Sequence, residues 1–246
     1  MKVVLPEAKA FASIIEALSK IVDEASLKFT PDKVFLRALD PAKVSMFVME
    51  LPSSLFTEYD VSEESRIGFN TSVILKFLKR AKKGDTLEIV TEDSYAKFTI
   101  AGTYTRIYKI LNLEISEEEL PEPQLEFNAS ATILSDPLKH GIKDAETVGD
   151  TVEFIAETEE EFIIKGRGEA SETETRITKE SGALIALEVK EPSRSSYAIE
   201  YLKNIVALTK VADAVTVKFS TRMPVMLEFS IMGEGKVVYL LAPKVE

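Results

Sequence analysis

The stretch Leu111-Asn-Leu-Glu-Ile-Ser-Glu-Glu-Glu-Leu-Pro-Glu-Pro-Gln124 lies at the middle of a chain of 246 residues. It holds four glutamates between Glu114 and Glu119, and prolines at positions 121 and 123. Because like charges repel and proline has a fixed φ and no N–H to donate, this composition favours neither a helix nor an inner strand. Local composition alone fits an ordinary solvated loop equally well. We predict an extended linker, since the chain on either side of it follows the same plan.

That plan is a helix followed by strands, and it occurs twice in each half of the chain. Apolar residues recur at helical spacing in segments that begin near positions 8, 71, 136 and 196, about 60 to 65 residues apart. The predicted helical segments, with their capping residues included, cover 8–22, 71–83, 135–146 and 196–210. Thr71 or Ser72 is expected to cap the second helix, with Gly84 at its end; Asp136, followed by Pro137, caps the third, and Ser195 or Ser196 the fourth.

Runs of β-favouring residues predict the strands that follow these helices. They are 27–30, 34–39, 45–51, 87–90, 96–100, 105–110, 125–131, 152–155, 161–165, 173–178, 215–219, 226–231 and 236–241. Because three strands follow each helix, the sheets should be mostly antiparallel, and the predicted fold class is α+β. We expect two similar domains, 1–113 and 125–246, joined by a connector at 114–124. Each domain should hold two helices packed on sheets of about eight strands.

The composition excludes several classes of protein. The chain has no Cys, so it can form no disulfide, thiolate metal site or thiol nucleophile. It has no run of 18 apolar residues and no signal-peptide pattern, so we expect a cytoplasmic protein without a membrane span. Thirty basic residues against 41 acidic ones give a net charge of −11. Taken as an average, this charge argues against non-specific nucleic-acid binding.

The average charge conceals a basic helix. Residues 70–83 contain five Lys or Arg side chains and no acidic one, and Lys76, Arg80 and Lys83 share one face. Such a face attracts phosphates without reading sequence. The alternative is that Lys and Arg are simply good helix formers on exposed surfaces. No aromatic residues interleave with the stripe, so the sequence does not predict a platform for single strands.

The sequence gives no support for catalysis, a metal or another cofactor. The only histidine, His140, lies among lysines on a predicted helix with no partner motif. The chain has no phosphate-binding loop or HExxH motif. The glutamate runs 117–119 and 159–161 lack the alternating oxygen spacing of a calcium site. We therefore expect no enzyme.

Five segments carry a resemblance that covers essentially the whole chain. They are Leu39-Asp-Pro-Ala-Lys-Val-Ser45, Phe69-Asn-Thr-Ser-Val-Ile-Leu-Lys-Phe-Leu-Lys79, Leu120-Pro121, Ser196-Tyr-Ala-Ile-Glu-Tyr-Leu202 and the tail Tyr239-Leu-Leu-Ala-Pro-Lys-Val-Glu246. With these segments the chain resembles the sliding clamps of DNA replication, the proliferating cell nuclear antigen family, in its archaeal form. The resemblance implies three subunits that close a ring around duplex DNA, with helices lining the hole and sheets outside.

The resemblance also implies which residues face each partner. The side chains expected to face DNA are Lys9, Lys20, Lys76, Lys79, Arg80, Lys83, Lys139, Lys143, Lys203 and Lys210. Those expected at the subunit interface are Arg106, Tyr108 and Lys109 on one edge strand, and Glu172, Glu174 and Ile177 on the other. Those expected to bind client peptides are Leu39, Val44, Leu120, Pro121, Leu125, Pro224, Leu240, Ala242 and Pro243. On the first helix Glu16 stands between Lys9 and Lys20, so its DNA-facing charge is sparser than the family often shows.

The function that the resemblance implies is a non-enzymatic processivity factor. It holds DNA polymerase and other replication and repair enzymes on duplex DNA, independently of sequence. Its clients (polymerase, clamp loader, flap endonuclease and DNA ligase) bind through short peptides with a Gln followed by spaced apolar and paired aromatic residues. Two alternatives stay open: an acidic protein-binding adaptor that never encircles DNA, and an enzyme with an unmarked carboxylate site. The sequence does not decide between a homotrimer and a ring shared with paralogous subunits.

Overall fold

The computed structural model describes residues 1–92, 94–116 and 125–244. The chain divides into two compact units. Unit 1 comprises Met1–Pro41, Phe47–Leu120 and Ile231–Val237, and unit 2 comprises Ala42–Met46, Pro121–Ser230 and Val238–Glu246. In the described ranges, no helix is long and apolar enough to span a membrane.

The elements of the first half of the chain follow in order. They are β1 (Lys2–Leu5), α1 (Ala8–Leu18), β2 (Glu24–Phe29), β3 (Lys33–Leu39), β4 (Ser45–Pro52), a 3-10 helix (Ser53–Leu55), β5 (Glu58–Asp60), β6 (Ser65–Asn70), α2 (Thr71–Leu78), β7 (Thr86–Glu92), β8 (Tyr95–Ala101) and β9 (Thr105–Leu111).

The second half repeats the mixture of helices and strands. Its elements are β10 (Ala129–Leu134), α3 (Ser135–Val148), β11 (Thr151–Ala156), β12 (Glu161–Arg167), β13 (Glu172–Thr178), β14 (Leu184–Val189), β15 (Ser193–Ala198), α4 (Ile199–Leu202), a 3-10 helix (Lys203–Lys210), β16 (Ala214–Phe219), β17 (Val225–Ile231) and β18 (Gly235–Leu241). Every strand pair with a defined register is antiparallel, which confirms the predicted α+β class.

Unit 1 packs α1 and α2 against each other. One of its sheets has the strand order β5-β1-β7-β8-β9, and β4-β3-β2-β6 form another run of neighbours. Phe77 of α2 stacks on Tyr108 of β9, with ring centroids 4.4 Å apart, and tilts against Phe98 of β8 at 5.4 Å. These rings tie α2 to the edge strand β9 and its neighbour β8. Phe98 is fully buried, and burial of a side chain of this size contributes about 1.5–3 kcal/mol relative to its exposed state.

Unit 2 packs α3 against β12 and β13. Its strands run in the orders β13-β12-β11-β15 and β14-β10-β16-β17. Phe154 of β11 lies 5.6 Å from Phe162 of β12 and 6.2 Å from Phe219 of β16, measured between ring centroids. All three rings are fully buried, so they form an aromatic core for this unit.

Equivalent backbone hydrogen bonds begin the helices in both units. In each unit, an aspartate carbonyl accepts the first N–H of a helix. The pairs in unit 1 are Ala8 N to Asp85 O (2.9 Å) and Thr71 N to Asp23 O (2.8 Å); those in unit 2 are Ser135 N to Asp213 O (2.8 Å) and Ile199 N to Asp150 O (2.9 Å). This correspondence supports the internal repeat that the sequence predicted.

The helices of unit 1 are shorter than predicted. Helix α1 ends at Leu18 instead of Val22, because the N–H groups of Lys20 and Ile21 bond three residues back and tighten the chain there, Lys20 N to Ala17 O at 3.2 Å and Ile21 N to Leu18 O at 2.9 Å. Helix α2 likewise ends at Leu78 instead of Lys83. Gly84, expected at the end of that helix, lies in the turn beyond it with a φ of +85°.

The predicted caps were wrong. Asn70, not Thr71 or Ser72, caps α2 by accepting the Val73 N–H at 3.2 Å. The Thr71 hydroxyl instead donates to the Val22 carbonyl at 2.8 Å. Val73, in the first turn of α2, is 45% exposed.

Unit 2 differs from prediction at both helices. Helix α3 begins at Ser135, so Asp136 lies inside its first turn and not at the N-cap. The fourth helix begins at Ile199, because Ser193–Ala198 is strand β15, paired with β11. Ser195 therefore caps no helix, and its hydroxyl donates to the Met223 carbonyl at 3.3 Å.

Some strands also differ from prediction. The strand expected at 125–131 begins only at Ala129. Strands β1, β5, β6, β14 and β15 were not predicted.

Candidate nucleic-acid and protein interfaces

The basic face of unit 1 consists of α1, α2 and the turn after α2. Lys76, Lys79, Arg80 and Lys83 are all exposed there, and so are Lys9 and Lys20 of the α1 segment. Lys79 Nζ lies 3.5 Å from Glu16 Oε1, so an acid on α1 partly neutralises it. In the described part of the chain, Lys9, Lys20, Lys76 and Lys83 form no ion pair. This face therefore presents positive charge to solvent.

The basic residues of unit 2 are more strongly neutralised. Lys139 Nζ lies 3.2 Å from Asp136 Oδ1, and Lys203 Nζ lies 2.5 Å from Glu146 Oε1. Lys143 and Lys210 are exposed. Of the side chains predicted to face DNA, those of unit 1 thus offer the stronger positive surface.

Strand β9 lies at the end of its sheet and pairs with β8. Its outward side chains include Ile107 and Leu111, which are 65% and 55% exposed. Exposed apolar side chains on an unpaired strand edge invite addition of another strand. The sequence prediction missed both residues. The segment carries apolar residues on both faces, and that pattern is the signal that could have found them.

Arg106 was expected to present its charge at this edge, but its guanidinium is paired within unit 1. Its guanidinium Nη2 lies 2.6 Å from Asp85 Oδ2, and Nη1 donates to the Arg80 carbonyl at 2.7 Å. The Arg106 side chain is only 16% exposed. It faces α2 because even-numbered residues of β9 point to that side, as Tyr108 does in stacking on Phe77.

The outward cation of β9 is Lys109. Its Nζ lies 3.1 Å from Glu92 Oε2 and 4.8 Å from the centroid of the Tyr95 ring. Lys97 also reaches Glu92, at 3.0 Å. Hydrogen bonds from Lys97 and then Lys109 hold the pKa of the Glu92 carboxyl below its usual value.

Strand β13 lies at the end of another sheet and pairs with β12. Glu172 and Glu174 are exposed, and both lie near Lys165 Nζ, at 3.0 and 3.6 Å. Glu174 also accepts from Arg176 at 2.6 Å; this bond and the nearby charge of Glu161 raise the pKa of Arg176. Ile177 points inward and is 2% exposed. Strand β13 thus carries glutamates on its exposed face and an apolar side chain on its buried face.

Several predicted client-binding residues lie in unit 2. Val44, Leu125, Pro224, Ala242 and Pro243 are half-buried, whereas Leu240 is buried. The Ala242 N–H donates to the Val44 carbonyl at 2.9 Å, which joins the tail to the segment before β4.

The remaining predicted client-binding residues lie in unit 1 or outside the described residues. Leu39, the last residue of β3 in unit 1, is half-buried. Leu120 and Pro121 lie outside the described residues. At the end of the tail, the Lys244 N–H donates to the Ser196 carbonyl at 2.7 Å. The tail is therefore held by backbone bonds at two points.

The one histidine of the chain lies on helix α3. His140 is 57% exposed, and its Nε2 lies 3.5 Å from Asp136 Oδ2 on the same helix. Among the described residues, no group of three or more His, Cys, Asp or Glu side chains could hold a metal ion.

Comparisons with known proteins agree with this arrangement. The family model for the N-terminal domain of proliferating cell nuclear antigen matches residues 1–117, and that for its C-terminal domain matches residues 122–244. A DNA polymerase sliding clamp of Pyrococcus furiosus is 41% identical over the whole chain and 98% of its own length.

Two solved structures have the same fold. The PCNA2–PCNA3 complex of Sulfolobus tokodaii contains a chain that is 28% identical, with a TM-score of 0.93 over 100% of both chains. The A. fulgidus PCNA bound to the C-terminal region of FEN-1 is 28% identical, with a TM-score of 0.89 over 100% of this chain and 98% of that one.

Proposed function

This chain belongs to the proliferating cell nuclear antigen family, and on that premise we propose that it is a DNA sliding clamp. It encircles duplex DNA and holds DNA polymerase and other replication and repair enzymes on it. The observation that carries the proposal is the basic face of unit 1, which is exposed on a chain whose net charge is −11. A basic face on an otherwise acidic protein attracts DNA to that face and repels it from the rest of the surface.

Ring closure follows from two unlike strand edges. We propose that β9 of one subunit adds to β13 of the next, so that Ile107 and Leu111 leave water and Lys109 meets Glu172 or Glu174. An interface between two different surfaces generates a closed ring when its rotation closes, here with three subunits. Tyr108 and Ile177 would pack beneath the joined strands. Arg106 contributes by bracing β9 from within its own subunit.

We propose that the ten predicted basic side chains face the duplex, with those of unit 1 contributing most. They are Lys9, Lys20, Lys76, Lys79, Arg80, Lys83, Lys139, Lys143, Lys203 and Lys210. Contacts of Lys and Arg with phosphates carry no sequence information, so the clamp can slide. The domains that we propose are 1–113 and 125–246, with the connector at 114–124.

Client peptides bind, in this proposal, at the nine predicted apolar residues. They are Leu39, Val44, Leu120, Pro121, Leu125, Pro224, Leu240, Ala242 and Pro243. The half-buried state of most of those in unit 2 supports this, because an apolar surface that is partly open can receive an aromatic anchor. The clients are DNA polymerase, clamp loader, flap endonuclease and DNA ligase. A relative seen with the C-terminal region of FEN-1 supports the flap endonuclease.

We further propose that the protein has no catalytic activity of its own and works beside the chromosome in the cytoplasm of an archaeal cell. Its partner subunits are copies of itself or paralogues, as in the PCNA2–PCNA3 complex of a relative.

A topological experiment tests the proposal. The clamp is loaded onto a circular plasmid with its loader, and retention is measured before and after the plasmid is cut once. A sliding clamp stays on the circle and is lost from the linear DNA, and light scattering gives the mass of a trimer, alone or with paralogues. Equal retention on both forms, or a monomer under every condition, would favour the acidic adaptor that does not encircle DNA.

A further inference from the structure

Asn112 fixes the chain to the free side of strand β6 in unit 1. Its side-chain Oδ1 accepts the Gly68 N–H at 2.8 Å, and its Nδ2 donates to the Arg66 carbonyl at 3.1 Å. An adjacent strand would offer one acceptor and one donor in the same way. The Asn112 carboxamide therefore takes the place of a peptide group on that edge.

Two backbone hydrogen bonds complete the attachment. The Asn112 N–H donates to the Ser94 carbonyl, and the Leu113 N–H donates to the Gly68 carbonyl, both at 2.9 Å. Residues 112 and 113 are thus bonded to two different segments of unit 1. The chain continues directly from them into the connector.

Gly68 makes this close approach possible. A Cβ atom at position 68 would lie 2.0 Å from the Leu113 carbonyl oxygen and 3.1 Å from Ile115 Cδ1. The first distance is far below van der Waals contact, so any side chain would displace residue 113. Leu113, Ile115 and Ser116 also border an open cavity of about 660 Å³, which leaves room for that displacement.

We propose that Asn112 and Gly68 form a tether that positions the connector for client-peptide binding. The inference rests on the proposed client site. A segment held at its starting point loses less conformational freedom when a peptide pairs with it than one released at that point. The tether therefore strengthens binding of clients that run along the connector.

The test uses the full-length protein and two fluorescent synthetic peptides. The short peptide contains only the Gln, the spaced apolar residue and the paired aromatic residues. The flanked peptide contains the same motif with additional residues on both sides. The variants are Asn112→Leu, which removes the donor and the acceptor, and Gly68→Ala, which acts from the other side of the tether. Asn204→Leu is the matched control, because Asn204 is half-buried in unit 2.

We expect both tether variants to weaken the flanked peptide about tenfold, mainly through faster dissociation. The short peptide should bind all four proteins within about twofold, and the trimer mass should not change. Asn112→Asp keeps the acceptor for Gly68 and should give an intermediate affinity. If Asn112→Leu proves unstable, Asn112→Asp and Gly68→Ala decide the question.

The other outcomes are distinct. If the two peptides weaken equally in the tether variants, the residues only support the fold, and the inference is wrong. If the variants bind the flanked peptide like the wild type, the tether has no part in binding, although the client site stands. If the wild type binds neither peptide, the proposed client site itself fails, and the tether with it.

Discussion

The guanidinium of Arg106 lies 2.6 Å from the carboxylate of Asp85, and the two side chains are 16% and 8% exposed. Asp85 also accepts the Lys82 N–H through its carboxylate at 2.9 Å, and its carbonyl holds the first N–H of α1. One buried aspartate thus connects α1 and the turn after α2 to the edge strand β9.

Loss of this ion pair should destabilise the protein. Removing one partner of a buried pair leaves an uncompensated charge, so Arg106→Leu should cost about 3–5 kcal/mol of unfolding free energy. Chemical denaturation measures this. Arg176→Leu is the matched control, since Arg176 pairs with Glu174 on another edge strand but is 57% exposed, and its loss should cost less than about 1 kcal/mol. Similar costs for the two variants would contradict a special role for Arg106.

The exposed side chains of β9 should hold the ring together. Ile107→Glu with Leu111→Glu removes two large apolar contacts, so we expect the trimer to dissociate at least about 100-fold more readily. Light scattering across a dilution series measures the mass. Ile185→Glu serves as the control, because Ile185 is 56% exposed on β14, another strand at the end of its sheet. A trimer that survives the double substitution would show that β9 is not the interface.

The basic face should govern the salt dependence of DNA binding. Lys76→Ala with Arg80→Ala removes two phosphate contacts, which should lower the slope of log K against log salt by about 1 for each contact. The loss should be equal for all sequences. Lys190→Ala with Lys236→Ala removes two exposed lysines outside the predicted set and should leave the slope unchanged. An unaltered slope in the first variant would assign DNA to another face.

Acid should loosen the ion-pair cluster beside β9. The folded-state pKa of Glu92 lies below its ordinary value, so the stability that this group contributes is complete above that ordinary value. It is lost as the pH falls through the lowered folded pKa. Side-chain NMR titration should show the pKa of Glu92 rising in Lys97→Met, and rising less in Lys109→Met. No change in either variant would mean that the cluster does not form in solution.

The tail should contribute to client binding. Pro243→Ala should weaken a client peptide by about 1–3 kcal/mol, as truncation of an interface hot spot does. Trimer mass and retention on circular DNA should stay the same. Fluorescence titration against wild type and Pro192→Ala, an exposed proline outside the site, checks this. Equal affinities for all three proteins would move the client site elsewhere.

The sequence placed some strands more accurately than it placed the ends of the helices. Alternation placed β7, β8 and β9 within two residues, because a strand's pattern arises from its own side chains. Helix α4 was misplaced because pairing with β11 keeps Ser193–Ala198 extended, and that pairing joins residues far apart in sequence. The start of α3 likewise depends on the Asp213 carbonyl.

The direction in which the side chains of β9 point was not predictable for a related reason. The segment 105–111 has apolar residues on both faces, so its sequence does not reveal which face α2 covers. Arg106 was therefore expected on the exposed face of β9, but Ile107 lies on that face. The anchoring role of Asn112 was equally hidden, because it depends on the free edge of β6.

The hydrogen bonds that begin the helices come from the main-chain carbonyls of Asp23, Asp85, Asp150 and Asp213. A main-chain bond survives substitution of the side chain, so the two halves of a duplicated chain can drift apart in sequence without losing their shared frame. Selection can then alter the charge of one helix while its counterpart keeps another, as in the acid-free α2 segment and its counterpart α4, which carries Glu200. The same freedom lets duplicated subunits acquire different surfaces and still fit one ring.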